Sequence, residues 1–219
     1  MSIHWLRLLA IVSLGFFTSA ALLTDAVFPG DKKQQRYTIL PSSKLLLKGT
    51  TNVNNFTCKC EDRFSAQVLE AEASGGKQTR FRNARLRMTT RKFNCQNAKM
   101  ERDLCKALKA SEYPYIQVEL LETQHDPEHF KNGPAGRWAD VRAKVKLTIT
   151  GVSKEQIIDA RAKTNGPNSF SLQGEKSLNM SEYGIDPPEA LFGLIKVDDL
   201  ITFQFYLDIA VEEAGAPVE

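Results

Sequence analysis

The four cysteines have the most definite chemistry of any side chains in this sequence, and their spacing favours structural disulfides over redox catalysis. Cys58 and Cys60 are separated by one residue in a strand-like run, whereas redox-active pairs have C-x-x-C spacing at a helix start, where the helix dipole lowers the thiol pKa. In an exported chain, four cysteines predict two disulfides. Cys58 and Cys60 lie on one side of the strand and would pair with each other only under strain. They therefore pair with Cys95 and Cys105, and we favour Cys58–Cys95 with Cys60–Cys105 over the crossed arrangement.

The two histidines of the segment HDPEH form the one pattern that resembles a metal site. His125 and His129 have the four-residue spacing that brings two ligands together on a helix, but Pro127 between them argues against a helix. We interpret both as solvated loop residues and predict neither a metal nor another cofactor. No Ser-His-Asp set, phosphate-binding glycine loop or close acidic pair in an apolar context stands out, so we predict no enzymatic activity. The formal charge of +3 is too balanced to indicate nucleic-acid binding.

The first 26 residues have the organisation of a signal peptide. Arg7 precedes an apolar run at 8–17, and small residues follow at two positions suited to cleavage, after Ala20 or after Ala26. The alternative is an uncleaved membrane anchor, but the apolar run ends by Leu23, short of the about 20 residues that a span requires. We therefore expect a periplasmic or secreted protein with no transmembrane segment after cleavage.

One helix and the strand that follows it would position the cysteines. Met100, Leu104 and Leu108 repeat at four-residue spacing, which predicts a short amphipathic helix around 98–110. Pro114 ends it. Beyond the proline, apolar and polar residues alternate in a half-buried strand that continues to about Gln124. A helix of about ten residues is marginal alone, so it must lie across the apolar face of a sheet.

Most of the remaining chain alternates apolar and polar residues with period two, as in 139–150 and 200–211. Eight or nine such strands must bury their apolar faces together in a sandwich or a barrel, and closure removes exposed edges. We predict an all-β fold, an antiparallel β-barrel of about eight strands, with a further helical turn around 188–195. We expect one domain at 37–213, a flexible lead-in at 27–36 and a polar tail at 214–219. An exposed strand edge would also allow two copies to pair as a homodimer.

Several segments resemble a known family. Glu101–Leu104 with Glu112–Ile116 is similar to the helix-to-strand signature of YceI-like proteins, the polyisoprenoid-binding, lipocalin-like exported family. Leu147–Lys154 resembles the family's strand ending in a glycine turn, and Val197–Phe203 resembles its closing segment. Lys48–Cys58 is similar to the cysteine-bearing members. The resemblance extends over roughly 37–211, although the family's usual opening motif and the arginine-containing segment before the last strand are absent here.

The resemblance implies that the barrel is an extended, lipocalin-like one. It also implies non-enzymatic binding, transport or sequestration of a long isoprenoid or quinone-like lipid inside the barrel. Such a site needs an apolar lumen and a few polar groups at its mouth. We expect the lumen to be lined by Phe56, Leu86, Met88, Ile116, Val118, Leu147, Ile149, Phe170, Phe203 and Phe205, with Met180 and Phe192 near an entrance. Two alternatives are an envelope interaction module with a filled barrel and an exported thiol-redox protein that uses Cys58 and Cys60.

Overall fold

Alternating side chains build long antiparallel strands whose apolar faces turn inward. In β9 (Ala139–Ile149), Val141, Val145 and Ile149 are buried, whereas Arg142 is exposed. The computed structural model describes residues 32–74, 76–126, 135–190 and 192–213. Over these residues the strands are β1 (Lys32–Ile39), β2 (Lys44–Thr51), β3 (Asn55–Cys60), β4 (Gln67–Ser74), β5 (Gln78–Arg82), β6 (Arg85–Thr89), β7 (Phe93–Asn94), β8 (Tyr115–His125), β9, β10 (Val152–Gly166), β11 (Ser169–Asn179), β12 (Glu189–Ala190) and β13 (Ile195–Glu213).

Eight strands close into an antiparallel ring, which confirms the predicted fold class. Their order is β1, β4, β5, β8, β9, β10, β11 and β13, and β13 pairs with β1 to complete the ring. β13 has 19 residues and would span about 60 Å when extended. Its first half pairs with β2 and its last residues pair with β1, so two shorter strands follow one another along one of its edges. β3 and β7 extend the sheet beyond β2.

The ring departs from a regular barrel between β10 and β11. These strands pair only between 160–166 and 169–174, so the first half of β10 pairs with β9 alone among the described strands. A 3-10 turn, Met180–Tyr183, lies against this gap. Gln156 donates from Nε2 to the Tyr183 hydroxyl at 3.3 Å, and the Thr150 hydroxyl donates to the Tyr183 carbonyl. Side-chain contacts therefore join the β9–β10 hairpin to the turn that follows β11, where the backbone ladder stops.

One α-helix, α1 (Ala98–Ala107), lies where the sequence predicts it. Asn97 caps its N-terminus, because the Asn97 side chain accepts hydrogen bonds from the backbone N–H groups of Lys99 and Met100. No side chain within α1 is fully buried, but Met100 and Leu104 pack against the core. Within the described residues, the structure contains no helix with the length and apolarity needed to cross a bilayer.

Two predictions about local structure are wrong. The helical turn expected around 188–195 is instead the short strand β12, which pairs with Ile195 and Lys196 and is followed by a turn with positive φ at Phe192 and Gly193. Backbone pairing with the long β13 outweighs the weak helical preference of this segment. The described part of the lead-in, Lys32–Arg36, belongs to β1 because it pairs with β4. Residues 1–31 and 214–219, and with them the signal peptide and the polar tail, lie outside the described residues.

Candidate ligand cavity

An apolar cavity of about 330 Å³ lies between α1 and the strands at one end of the ring. β3, β2 and the start of β13 are paired in that order and form one wall, and α1, the region around Met180 and single residues of β8 and β9 complete the lining. Its apolar lining comprises Leu47, Val53, Phe56, Cys58, Met100, Leu104, Ala107, Leu108, Ile116, Ile149, Met180, Ile185, Pro188, Ile195, Val197, Ile201 and Phe203. The deepest lining residues, such as Ile116, Ile149 and Ile185, are each 1% exposed.

A glycine makes room for one of the aromatic walls. Gly49 on β2 is the ladder partner of Phe56 on β3, and a Cβ atom on Gly49 would collide with the Phe56 ring. The end of the Phe56 ring therefore occupies space that a side chain on residue 49 would fill. Gly174 allows the same arrangement for Phe205, its partner on β13.

The polar side chains of the lining lie at the mouth of the cavity. They are exposed or half-exposed and comprise Thr51, Asn54, Asn97, Lys99, Asp103 and Glu189. Lys99 pairs with Asp103 at 3.5 Å, and Glu189 pairs with Lys196 at 3.1 Å. Below the mouth, the described lining carries no titratable group, because the sulfur of Cys58 is bonded to Cys95. The arrangement can hold an apolar chain and offers hydrogen-bonding groups only where that chain would emerge.

The cysteines confirm one predicted disulfide and correct the other. Cys58 bonds to Cys95 and joins β3 to the segment before α1. Cys60 and Cys105 are free thiols, so the predicted Cys60–Cys105 bond is wrong. The helix turns Leu104 toward the cavity, and Cys105, the next residue, is rotated from it by about 100° around the helix axis. Burial raises the pKa of the Cys60 thiol, which disfavours the reactive thiolate and gives no support to a redox pair.

The twelve predicted lumen residues fall into three groups. Five of them line the cavity: Phe56, Ile116, Ile149, Met180 and Phe203. Five more belong to the surrounding core or pack against it without reaching the cavity: Leu86, Met88, Val118, Leu147 and Phe205. The last two do not line the cavity. Phe170 pairs with Ile209 toward the other end of the ring, and Phe192, which we expected near an entrance, is fully exposed on the turn after β12, between the lining residues Glu189 and Ile195.

Sequence reasoning missed the contribution of the helix and of the start of β13 to the lining. Met100, Leu104 and Ala107 were recognised only as the apolar face of a helix that must cover a sheet. Their four-residue repeat was the available signal, but it does not say whether the covered surface is packed or hollow. Val197 and Ile201, in β13, gave no separate signal.

A larger depression of about 750 Å³ lies on the outer face of β9, β10, β11 and β13. Most of its lining residues are polar or charged, and the charges are largely paired: Arg142 with Asp159 at 3.1 Å and Arg161 with Asp140 at 3.9 Å. It is a feature of the solvated outer surface of the twisted sheet.

Only one of the two histidines of the HDPEH segment lies within the described residues. His125 ends β8, where burial lowers the pKa of its imidazole, and His129 lies outside the described residues. Among the residues that the structure describes, no three His, Cys, Asp or Glu side chains are grouped so that they could hold a metal ion.

An eight-strand antiparallel ring with a helix over an internal apolar cavity defines a lipocalin-like β-barrel protein. The YceI-like domain model matches residues 37–209, and the chain belongs to that family.

Two solved structures share the fold at low sequence identity. One is a polyisoprenoid binding domain from Saccharophagus degradans implicated in plant cell wall breakdown; it is 12% identical, has a TM-score of 0.59, and the match covers 80% of this chain and 98% of that one. The other is BcnA from Burkholderia cenocepacia, which is 15% identical with a TM-score of 0.52 over 77% of this chain and 96% of that one. Among curated proteins, none matches the sequence.

Proposed function

We propose that this protein binds a long apolar lipid of the isoprenoid or quinone-like class in the cavity under α1, outside the cytoplasm and without catalysing a reaction. The observation that carries the proposal is the apolar cavity itself, which has its polar groups confined to the mouth. The structural relative described as polyisoprenoid binding supports the ligand class. The Cys58–Cys95 disulfide supports an oxidising compartment.

Burial of apolar surface supplies the binding energy. Each Å² removed from water contributes about 25 cal/mol, so an aliphatic chain in this lining needs no charged partner. The headgroup would lie at the mouth, beside the side chains of Asn54, Asn97 and Lys99.

The size of the cavity sets a condition on the ligand. A volume of about 330 Å³ is at the low end for small-molecule sites and holds only part of a long chain. The remainder must leave through the mouth or enter space that opens when side chains repack. Met100 and Met180 are suited to such repacking because unbranched thioether side chains adapt to irregular shapes.

The experiment is solvent extraction and mass spectrometry of the protein purified from its native source, followed by uptake of a polyprenol and of a quinone by the emptied protein. Co-purifying isoprenoid lipid and saturable uptake are expected. A protein that carries no lipid and takes up neither probe contradicts the proposal and favours the interaction module instead.

A cavity-filling variant localises the site. Ala107→Phe places a ring in the cavity from α1, and we expect it to reduce uptake at least about tenfold because it removes apolar contact area. Lys106→Phe adds the same ring on the exposed side of the same helix and should bind as the wild type does. Equal uptake by both variants, with unchanged circular dichroism, would place the lipid elsewhere.

A further inference from the structure

We propose that two turns beside the mouth of the cavity form a docking surface for the neutral lipid bilayer. The surface, here called the tip surface, consists of Val53 in the β2–β3 turn and Phe192 and Leu194 in the β12–β13 turn. It goes beyond the proposed ligand, because docking concerns the membrane from which or to which a lipid would move.

Exposure singles out these three side chains. Phe192 is 108% exposed, Leu194 72% and Val53 62%, whereas the next large apolar residue of the described chain, Leu200, is 54% exposed. Scattered exposed apolar residues are ordinary on a protein surface. Here the three most exposed ones share two adjacent turns at one end of the molecule.

Asn52 holds the two turns side by side. Its backbone N–H donates to the Lys196 carbonyl at 3.1 Å, its Nδ2 donates to the Leu194 carbonyl at 2.9 Å, and its Oδ1 accepts from the Lys196 N–H at 2.9 Å. The tip surface is therefore a single structural unit, although its parts are about 140 residues apart in the chain.

The β12–β13 turn holds Phe192 in a strained backbone conformation. Phe192 has φ +58° and Gly193 has φ +85°. A left-handed conformation is strained for an aromatic residue and relaxed for glycine or asparagine. The exposed Phe192 ring gains no burial to offset this strain, as expected for a side chain that makes its contacts with a partner.

Two observations indicate that this partner is a neutral bilayer: the basic groups beside the tip surface are paired, and the tip surface is continuous with the apolar cavity. Lys99 at the cavity mouth is paired with Asp103, and Lys196, which is hydrogen-bonded to Asn52, is paired with Glu189, so neither is an unpaired positive charge that would select anionic lipid. Val53 both lines the cavity and is exposed at the tip, so an apolar path leads from the membrane-facing surface into the lumen.

The orientation suits this placement. β13 begins at the mouth with Ile195 and ends at Glu213, where it pairs with β1, so the described chain ends lie at the opposite end of the ring. A protein docked through the tip surface would direct those ends away from the bilayer.

The test is co-sedimentation of the full chain with vesicles of phosphatidylcholine that contain no isoprenoid. We expect partitioning onto these vesicles to change less than about twofold between low and physiological salt. The variant Val53→Ser/Phe192→Ser/Leu194→Ser should partition at least about tenfold less, since it removes the apolar groups that enter the interface.

The matched control is Val68→Ser/Ile157→Ser/Tyr206→Ser, which removes three exposed apolar side chains from strands away from the mouth. It should partition as the wild type does. The full chain is expressed for export, so that the predicted signal peptide is removed alike from all three proteins, because its apolar run at 8–17 would by itself hold each of them on the vesicles. A wild-type protein that stays in solution, including one that binds a protein partner through the tip instead, overturns the proposal. So does a tip variant that still partitions, or binding that requires anionic lipid.

The docking proposal and the proposed function can fail independently of each other. Solvent extraction detects lipid in the cavity whether or not the protein docks on vesicles, and vesicles without isoprenoid detect docking whether or not the cavity is loaded.

Discussion

The cysteines show how much a residue-level argument can and cannot decide. Side chains alternate along β3, and this alternation correctly excluded a bond between Cys58 and Cys60. The predicted Cys58–Cys95 bond is present. The partner of Cys60 depended on the rotation of α1 above the sheet, which spacing does not specify. The Cys60 thiol remains free and is part of the core as a small buried apolar group, and Cys60 is the ladder partner of Phe93 on β7.

We expect loss of the Cys58–Cys95 bond to lower the free energy of unfolding by about 2–4 kcal/mol, because the bond closes a loop with a sequence separation of 37. Urea unfolding of Cys95→Ser against wild type measures this, with Cys105→Ser as the control that leaves the bond intact. Thiol titration of the unfolded, unreduced wild type should find two free thiols. A count of zero would mean that Cys60 and Cys105 do pair.

At the level of single elements, local signals succeeded where local interactions dominate. The β9–β10 hairpin turns at Thr150 and Gly151, with φ +48° and +79°, as a two-residue turn that matches strand twist requires. The helix begins at the asparagine cap and repeats its apolar residues every four positions. The prediction of a helical turn at 188–195 is wrong because Glu189 and Ala190 pair with the first residues of β13, a strand that β2 and β11 hold in place.

The cap of α1 is expected to control how firmly the cavity is covered. Asn97→Ala removes the acceptor for two backbone N–H groups and should lower the free energy of unfolding by about 1 kcal/mol. Amide exchange within α1 should accelerate more than exchange in β9, because no side chain within the helix is fully buried. Asn97→Asp retains the acceptor and is the control. Equal losses from both substitutions would show that capping is not the cause.

For the molecule as a whole, closure of the ring brings together groups far apart in the sequence. Asp208 on β13 accepts from the Ser42 hydroxyl at 2.6 Å and from the Ser171 hydroxyl at 2.7 Å. Its backbone carbonyl also accepts from the Leu40 N–H at 2.8 Å. This network joins β11 and β13 to the turn between β1 and β2.

The same network predicts a pH dependence of stability. The hydroxyls of Ser42 and Ser171 lower the pKa of Asp208 below its ordinary value, so the folded state favours the carboxylate. Its contribution is complete above the unfolded pKa of about 4 and is lost as the pH falls through the folded pKa. Asp208→Asn should therefore lower the free energy of unfolding at pH 7 and reduce its decrease on acidification, as measured by urea unfolding from pH 7 to pH 3.

Two further variants test the hydroxyl donors separately from the carboxylate. Ser42→Ala and Ser171→Ala each remove one hydroxyl and should reduce the same acid dependence by part of that amount. If the free energy of unfolding of Asp208→Asn changes with pH as that of the wild type does, the network is not the source of the acid dependence.

The sequence by itself determined the strands, their buried faces, the short helix and the all-β class, because these follow from side-chain periodicity and local backbone preference. Tertiary structure alone decided which strand edges meet, which two cysteines remain free and where about 330 Å³ of the interior stays unfilled. The physical reason is that backbone hydrogen bonds pair strands without regard to side-chain type. A cavity is the small difference between the space that several distant elements enclose and the volume that their side chains occupy.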